Sequence, residues 1–569
     1  MTQSNQSNKA TKAVKEPETA KDMTDLVSDE LATLLHTISE PEIPQGEQGA
    51  RYLLKRTPTN YLLNQAYGLW VFVSLFILTL IMTRKVSVTE YGVYAIAMAA
   101  FNTIAYIVAF GLEDATTTFL PRVLTEHGKA SGAQLVRRLL LIRLAVLIAS
   151  MVLMLFALPT LGTIIAAIPI AGSAGIAAGL QDPSLLKHIT PIAIFVLGNG
   201  IASLLTSVYA SQMRMRIVFI VGSITQMFIL VCSFITLQIG WGIDSVLWIQ
   251  AILASINALI FLLLQSPLLL TRGTTYIQPM MPVLRVGIAA WLTNLVSGAL
   301  FKQVSIILLA YFTISVAQIA YFNLSFQLGH AASLLLVSGF GGVAGSALAA
   351  AFVGVDFERL ARTWQTLIKF ETLLAAPVLI FCLFNAQSIA HILYGSNYDP
   401  VGPLLAIFLF FNIITRILGT TIHQSTLYVM GKSRLVVLAQ FVGLVAVILI
   451  GIMLIPHWGP AGALVADGIS QIITGGILLA FLSKDLPERY PLGFTLSILL
   501  ALTLGALPGI VWHPSGHFPL VLAGIVFLAL SFVMLLWIKP LRSKDLELVG
   551  EVNTSLVKYL GWFGRAAKA

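Results

Sequence analysis

The chain has 569 residues, of which 57% are apolar and only 10% are charged, with a mean hydropathy of +0.89. A soluble domain carries about 25% charged residues, so this composition cannot clothe a water-facing surface and excludes a soluble enzyme. The formal charge of +9 and the pI near 9.4 would suit nucleic acid, but Lys and Arg retained in cytoplasmic loops are the plainer source.

Residues 1–60 are polar and dotted with lysine. Within Asp22–Ile38 the side chains Val27, Leu31, Leu34, Leu35 and Ile38 recur at helical spacing. This segment reads either as a short amphipathic helix or as part of a flexible cytoplasmic tail. The tail lacks the apolar region of a cleavable signal peptide. Long apolar runs then recur from Tyr61 to Ile538, each near the roughly 20 residues a bilayer requires. They predict spans at 62–83, 92–113, 139–158, 189–211, 217–238 and 243–265, then 286–312, 317–340, 366–384, 403–427, 434–455 and 461–482, and a final pair at 492–512 and 518–538. Alternating segments of about 10 residues, the mark of a membrane β-barrel, are absent from the sequence. Both cysteines, Cys232 and Cys382, fall inside apolar runs, so neither a disulfide framework nor a thiolate metal site is expected.

Charge tests the count. Of 34 Lys and Arg, 13 fall in the two tails, 14 in the even-numbered connections and three (Arg84, Lys85, Lys187) in the odd ones. Four lie at or within spans: Arg143, Lys302, Lys369 and Arg416. The positive-inside bias places both termini and the even loops in the cytoplasm. Thr160–Leu180 is apolar enough to span, but a crossing there would reverse every later loop. It is therefore read as an extracytoplasmic interfacial or re-entrant piece.

An internal repeat underlies the spans. A shift of 228 lays Ser87–Tyr94 on Ser315–Phe322 and Gly111 on Gly339, and a shift of 226 lays Leu141–Arg143 on Leu367–Lys369. A shift of 218 sets Arg216 against Arg434. Six spans per unit is an even number, so both units share one orientation, as in parallel repeats about an axis along the membrane normal. The expected architecture is an all-α polytopic membrane protein of about 14 transmembrane helices. It has a tail at 1–60, a first lobe at 61–270, a second lobe at 285–484, a helix pair at 490–540 and a tail at 541–569. Two pseudo-symmetric six-helix lobes would enclose a central cavity.

Particular residues carry a resemblance. Val88–Tyr94 closes with Phe110-Gly111-Leu112. In the second half come Asp356-Phe357-Glu358-Arg359-Leu360, a span with Pro377, and Ile392–Tyr398. Val429-Met430-Gly431-Lys432-Ser433 and Ile455–Ala463 follow. In this order the series resembles the oligosaccharide/polysaccharide flippase branch of the multidrug/oligosaccharidyl-lipid/polysaccharide exporter superfamily, over about residues 60–485. The resemblance implies MATE-like lobes, alternating access, and translocation of an undecaprenyl-diphosphate-linked saccharide from the cytoplasmic to the outer leaflet of the cell membrane. It implies membrane lipids and the glycosyltransferases and polymerase of the same pathway as partners, with no cofactor and no nucleic acid. The long N-terminal tail departs from that pattern, and the extra helix pair resembles the lipid II flippase branch.

The charges inside spans narrow the site. An ionised side chain at the bilayer centre costs about 2.5–3.5 kcal/mol on insertion scales, so Lys302 and Arg416 must face a wet cavity, a partner or an interface. One reading has both bind the substrate diphosphate, Arg forking onto phosphate oxygens and Lys acting as a point charge. The other pairs them with Asp467 or a lipid headgroup. Asn64, Gln65, Ser74, Asn294 and Gln303 are candidate sugar contacts, although polar residues also hold transmembrane helices together. Arg143 and Lys369 read either as snorkelling anchors or as receivers of the headgroup at the inward mouth. Asp467 and Glu371 are candidate proton or sodium sites, or structural partners of nearby cations. Glu113 and Asp114 close span 2 at the water boundary, where charge needs no function.

Other signals fail. Gly339–Ala344 matches a dinucleotide fingerprint by letter but no strand precedes it, and Gly431-Lys432-Ser433 lacks the upstream glycine of a phosphate-binding loop. His330 and His423 have no second ligand at metal spacing. Two further classes stand beside the flippase. A cation-coupled multidrug exporter of the same fold would want acids deep in its first lobe, and spans 1–6 have none at mid-depth. A membrane glycosyltransferase or O-antigen ligase would need a catalytic outer loop, and the longest, 159–188, offers only Asp182, Lys187 and His188.

Overall fold

The computed structural model describes residues 44–157, 183–273, 276–295, 301–312, 315–334, 344–345, 347–348, 351–352, 355–512 and 514–540. The segments Asp22–Ile38, Thr160–Leu180 and Gly339–Val343 and the tail from 541 lie outside them. Among the described residues the chain is helical, with no strand.

The first half supplies α1 (Glu47–Lys85), α2 (Val88–Val108), α3 (Leu112–Val152), α4 (Pro183–Ser211), α5 (Met215–Ile239) and α6 (Gly242–Leu269). The second supplies α7 (Met280–Asn294), α8 (Phe301–Phe312), α9 (Val316–Leu334), α10 (Phe357–Phe384), α11 (Ala386–Tyr394), α12 (Val401–Leu418), α13 (Thr420–Val429), α14 (Ser433–Trp458) and α15 (Pro460–Leu482). Three more close the chain: α16 (Leu492–Ala506), α17 (Pro508–Val511) and α18 (His517–Ile538). Local chemistry sets several boundaries. Ser87 and Glu90 form a reciprocal capping box at the start of α2, and the Asp356 carboxylate accepts from the Arg359 N–H to open α10.

Every predicted span meets helix, yet the correspondence is looser than one helix per span. Eleven described helices are long and apolar enough to cross a membrane. Of the span expected at 286–312, the described residues form α7 and α8, and residues 296–300 lie outside them. The span expected at 403–427 is divided at Gly419, which sits at φ 74°. The one at 492–512 is divided before Pro508, leaving α16 with 15 residues. The nine-residue-longer start of α10 and the long α3, broken at Gly128 (φ 77°), add helix outside the apolar runs, where hydropathy gives no signal.

The repeat is visible in the packing. In the first lobe α1 packs on α5, α2 on α4, α3 on α4, α4 on α6 and α5 on α6. In the second lobe α8 packs on α14, α9 on α12, α10 on α12, α12 on α15 and α14 on α15. Each pair is the repeat mate of its counterpart, span for span. The closing pair α16 and α18 pack on each other and lie against α10. Large apolar side chains such as Phe228, Leu263, Met453, Leu500, Val521 and Trp537 are exposed along the helices, the surface a hydrocarbon solvent demands.

The lobes touch at both ends of α2. At its start it crosses α9 so closely that a Cβ on Gly92 would lie 2.3 Å from the Val316 carbonyl oxygen. Nearby, Gln327 Nε2 donates to Thr79 Oγ1 (3.0 Å) and Asn323 Nδ2 donates to Tyr91 Oη (3.0 Å). Arg84 at the end of α1 donates to the carbonyls of Ile392 (2.7 Å) and Leu393 on α11, satisfying acceptors that a helix C-terminus leaves open. Past the other end of α2, Gly111 (φ 61°) turns the chain into α3 against α7. α7 therefore packs on α3 of the other lobe, while α8 packs on α14 and α15 and also reaches α2 of the first lobe.

Candidate functional site

The junction of α2 and α3 builds a cavity. Arg143, buried on α3, is held from four sides. Its Nε donates to the Gly200 carbonyl (3.0 Å), Nη1 to Val108 (2.9 Å) and Ala109 (3.1 Å), and Nη2 to Glu113 Oε1 (2.7 Å). The guanidinium thus caps the open carbonyls at the end of α2 and neutralises a carboxylate in the first turn of α3. Ser203 on α4 donates to the same Glu113 oxygen at 3.0 Å. A buried Arg is tolerable only when its donors are filled and its charge is paired.

Beside this cluster lies a cavity of about 600 Å³ between the first lobe and the tip of α7. Its polar wall carries Asn102, Glu113, Asp114, Asn199, Ser203 and Asn294. Phe101, Tyr106 and Trp291 contribute aromatic surface. Asn294 Nδ2 donates to Asp114 Oδ2 at 3.1 Å, joining the two halves of the chain. Trp291 Nε1 donates to the Tyr106 carbonyl (2.8 Å), and its ring stacks on Phe110 with centroids 5.2 Å apart. Amides, a hydroxyl and carboxylates beside aromatic faces can hydrogen-bond a polyhydroxylated ligand and stack on its C–H surface.

The second lobe holds a separate polar set. Arg416 Nη1 donates to Glu371 Oε1 at 2.9 Å. Asp467 Oδ2 accepts from Gln471 at 2.7 Å. The other oxygens, Glu371 Oε2 and Asp467 Oδ1, are buried without a hydrogen-bond partner among the described residues. Trp364 Nε1 donates to His423 Nδ1 at 3.0 Å, which accounts for that histidine as a core residue. No group of three or more metal-ligating side chains occurs among the described residues.

Of the residues singled out in the sequence, the structure brings Arg143 and Asn294 to one cavity wall. Arg416, Glu371, Asp467 and Lys369 are not part of that wall. The pairing of Arg416 with Asp467 gives way to one with Glu371, a partner on the adjacent α10. Lys369 is buried with its Nζ 5.9 Å from the Phe494 ring centroid, against α16. Ser74 is buried and donates to the Val71 carbonyl of its own helix (3.0 Å), and Gln303 is buried. Asn64 and Gln65 are exposed on α1. Lys302 lies in the first turn of α8, and its side chain falls outside the described residues. The sequence reading missed Asn102, Asn199 and Ser203, although polar residues within apolar spans are the same signal that marked Asn294. Glu113 and Asp114, expected as charges closing span 2 at the water boundary, line the same cavity.

Comparison with known proteins agrees with this architecture. A family described as "Polysaccharide biosynthesis protein" matches residues 81–403, more than half of the chain. No curated protein sequence matches it significantly. Among solved structures, the lipid II flippase MurJ in an inward closed conformation matches with TM-score 0.60 at 15% identity, covering 82% of this chain and 97% of that one. An inward-facing multidrug resistance MATE family transporter of the MOP superfamily matches with TM-score 0.59 at 12% identity, covering 73% and 94%. At such identities the likeness establishes the fold. The protein is a multi-pass helical membrane protein with the MOP fold, and the chain belongs to the polysaccharide biosynthesis protein family.

Proposed function

We propose that the protein is a flippase that moves a lipid-diphosphate-linked oligosaccharide across the cytoplasmic membrane by alternating access. The observation that carries this reading is the cavity beside Arg143, whose amide, hydroxyl, carboxylate and aromatic wall suits a saccharide. The apolar exterior leaves a lipid tail in the bilayer while its headgroup crosses between lobes. Membership in a polysaccharide biosynthesis family supports a glycan cargo, and the flippase among the structural neighbours shares the fold. The excess of Lys and Arg in even-numbered connections supports cytoplasmic termini and an inward mouth at the Gly111 end of α2. The diphosphate is assigned to the cations within spans, Lys302 and Arg416, and Arg143 organises the sugar compartment. Glycosyltransferases and a polymerase would supply and consume such a substrate.

A second reading, a cation-coupled multidrug exporter, is favoured by the two unpartnered buried oxygens of Glu371 and Asp467. The same oxygens suit proton or sodium coupling of a flippase, so they do not separate the two. Reconstitution does. Proteoliposomes containing a polyprenyl-diphosphate oligosaccharide in the inner leaflet should expose the glycan to an external lectin, and Asn199→Leu should slow that exposure. Exposure no faster than in protein-free liposomes, with export of organic cations instead, would overturn the flippase assignment.

A further inference from the structure

The described wall of the cavity beside Arg143 is not cationic. Its described lining holds one cation and two carboxylates. The cation is spent internally, its Nε, Nη1 and Nη2 engaged by the carbonyls of Gly200, Val108 and Ala109 and by Glu113. Arg143 therefore cancels Glu113 and offers little positive field to a ligand. Asp114 differs. The contact to its carboxylate among the described residues is the neutral amide of Asn294, at 3.1 Å. Among the described residues the wall thus carries one carboxylate with no counter-charge, facing a space large enough for a sugar.

The physical consequence is a charge rule. A carboxylate in a confined, partly desolvated space accepts hydrogen bonds from hydroxyl and ammonium groups and repels other anions. Around it, Ser203 and the amides of Asn102 and Asn199 offer both donors and acceptors, which suits neutral hydroxyl and acetamido groups. Nothing in the described wall offers a free cation to a uronic acid or a phosphorylated sugar.

We infer that Asp114 makes this cavity a charge-selective sugar compartment, which accepts neutral and amino sugars and rejects glycans bearing carboxylate or phosphate substituents on the sugar. The inference rests on the flippase reading and deepens it. It separates the cargo into two parts: the diphosphate, which every such lipid carries, stays outside the compartment, and the sugar inside it decides what is moved. Rejection then comes from an introduced repulsion rather than from a missing contact, the usual way to discriminate ligands of similar shape.

The test uses three polyprenyl-diphosphate glycans of equal length in proteoliposomes: one neutral, one bearing a free amine and one bearing a uronic acid. Wild type should move the neutral and amino glycans and move the acidic one about tenfold more slowly or worse, a modest demand on like charges in a confined site. Asp114→Asn should raise the acidic-to-neutral ratio about tenfold. Asn199→Asp, which adds a carboxylate at an exposed position of the same lining, should lower that ratio further and provides a second readout should the first variant fold poorly. Equal transport of the three glycans by wild type would overturn the charge rule while leaving the flippase reading in place. A ratio that neither variant moves would do the same. Transport of none of them would overturn the flippase reading and this inference together.

Discussion

Arg416 on α12 donates to Glu371 on α10 across 2.9 Å, with the guanidinium 19% exposed and the carboxylate 2%. The two are 45 residues apart in the chain and form the charged tie between adjacent helices of the second lobe. Taking a carboxylate out of water is tolerable because that guanidinium accompanies it.

Breaking the pair from one side is expected to destabilise the protein. Arg416→Ala leaves Glu371 buried and uncompensated, at a cost of about 3–5 kcal/mol. Arg416→Met combined with Glu371→Leu removes both charges and should recover most of that loss. Melting temperatures in detergent check this, and a double variant as unstable as Arg416→Ala would show that the pair is not the cause. Transport by the stable double variant then separates a structural role for Arg416 from contact with the diphosphate.

Gly111 combines two demands that no other residue meets. It sits at φ 61°, and a Cβ there would lie 1.9 Å from the Gly287 carbonyl oxygen. Gly111→Ala should cost at least about 2 kcal/mol through backbone strain and steric overlap, and it should impair transport by wedging α7 from α3. Gly287→Ala has normal φ and a nearest approach of 3.0 Å, so it should be milder. Equal melting temperatures for the two variants would contradict this account of the joint.

Alternating access requires the lobes to part at the start of α2, where Thr79 and Gln327 meet at 3.0 Å. In a background with Cys232→Ser and Cys382→Ala, a Thr79→Cys/Gln327→Cys disulfide should arrest glycan movement, and a reductant should restore it. Undiminished transport by the oxidised, fully cross-linked protein would exclude opening at this seam.

Orientation has a direct test in the same cysteine-free background. Ser396 and Ser433 are both exposed, on opposite sides of the membrane if even-numbered connections are cytoplasmic. Ser396→Cys should react with an impermeant thiol reagent in intact cells, and Ser433→Cys only after lysis. The reverse pattern would invert the topology.

Much of the fold was legible because hydrocarbon is a demanding solvent. Every spanning segment must be apolar and satisfy its own backbone, so spans and the two-lobe repeat are written locally, in runs such as Ser433–Trp458. The breaks were not legible in advance. Gly419 and the break before Pro508 lie within runs whose hydropathy is continuous, and a divided helix is permitted there only because neighbouring helices cover it. The site was half legible. Asn294 and Arg143 were marked by their polarity in apolar surroundings, whereas Asn102, Asn199 and Asp114 needed the packing of α2, α3, α4 and α7 to show that they share a cavity.

The sequence alone determined that this protein is an all-helical membrane protein, the duplicated order of its spans and the residues whose charge requires an explanation. These properties follow from transfer free energies, which each segment meets on its own. Only the tertiary structure decided which charges cancel. Among the described residues Arg416 is matched by Glu371, Arg143 by Glu113 and three carbonyls, and Asp114 by a neutral amide. Partner choice depends on approaches of about 3 Å between helices distant in the chain, and residue spacing cannot encode that.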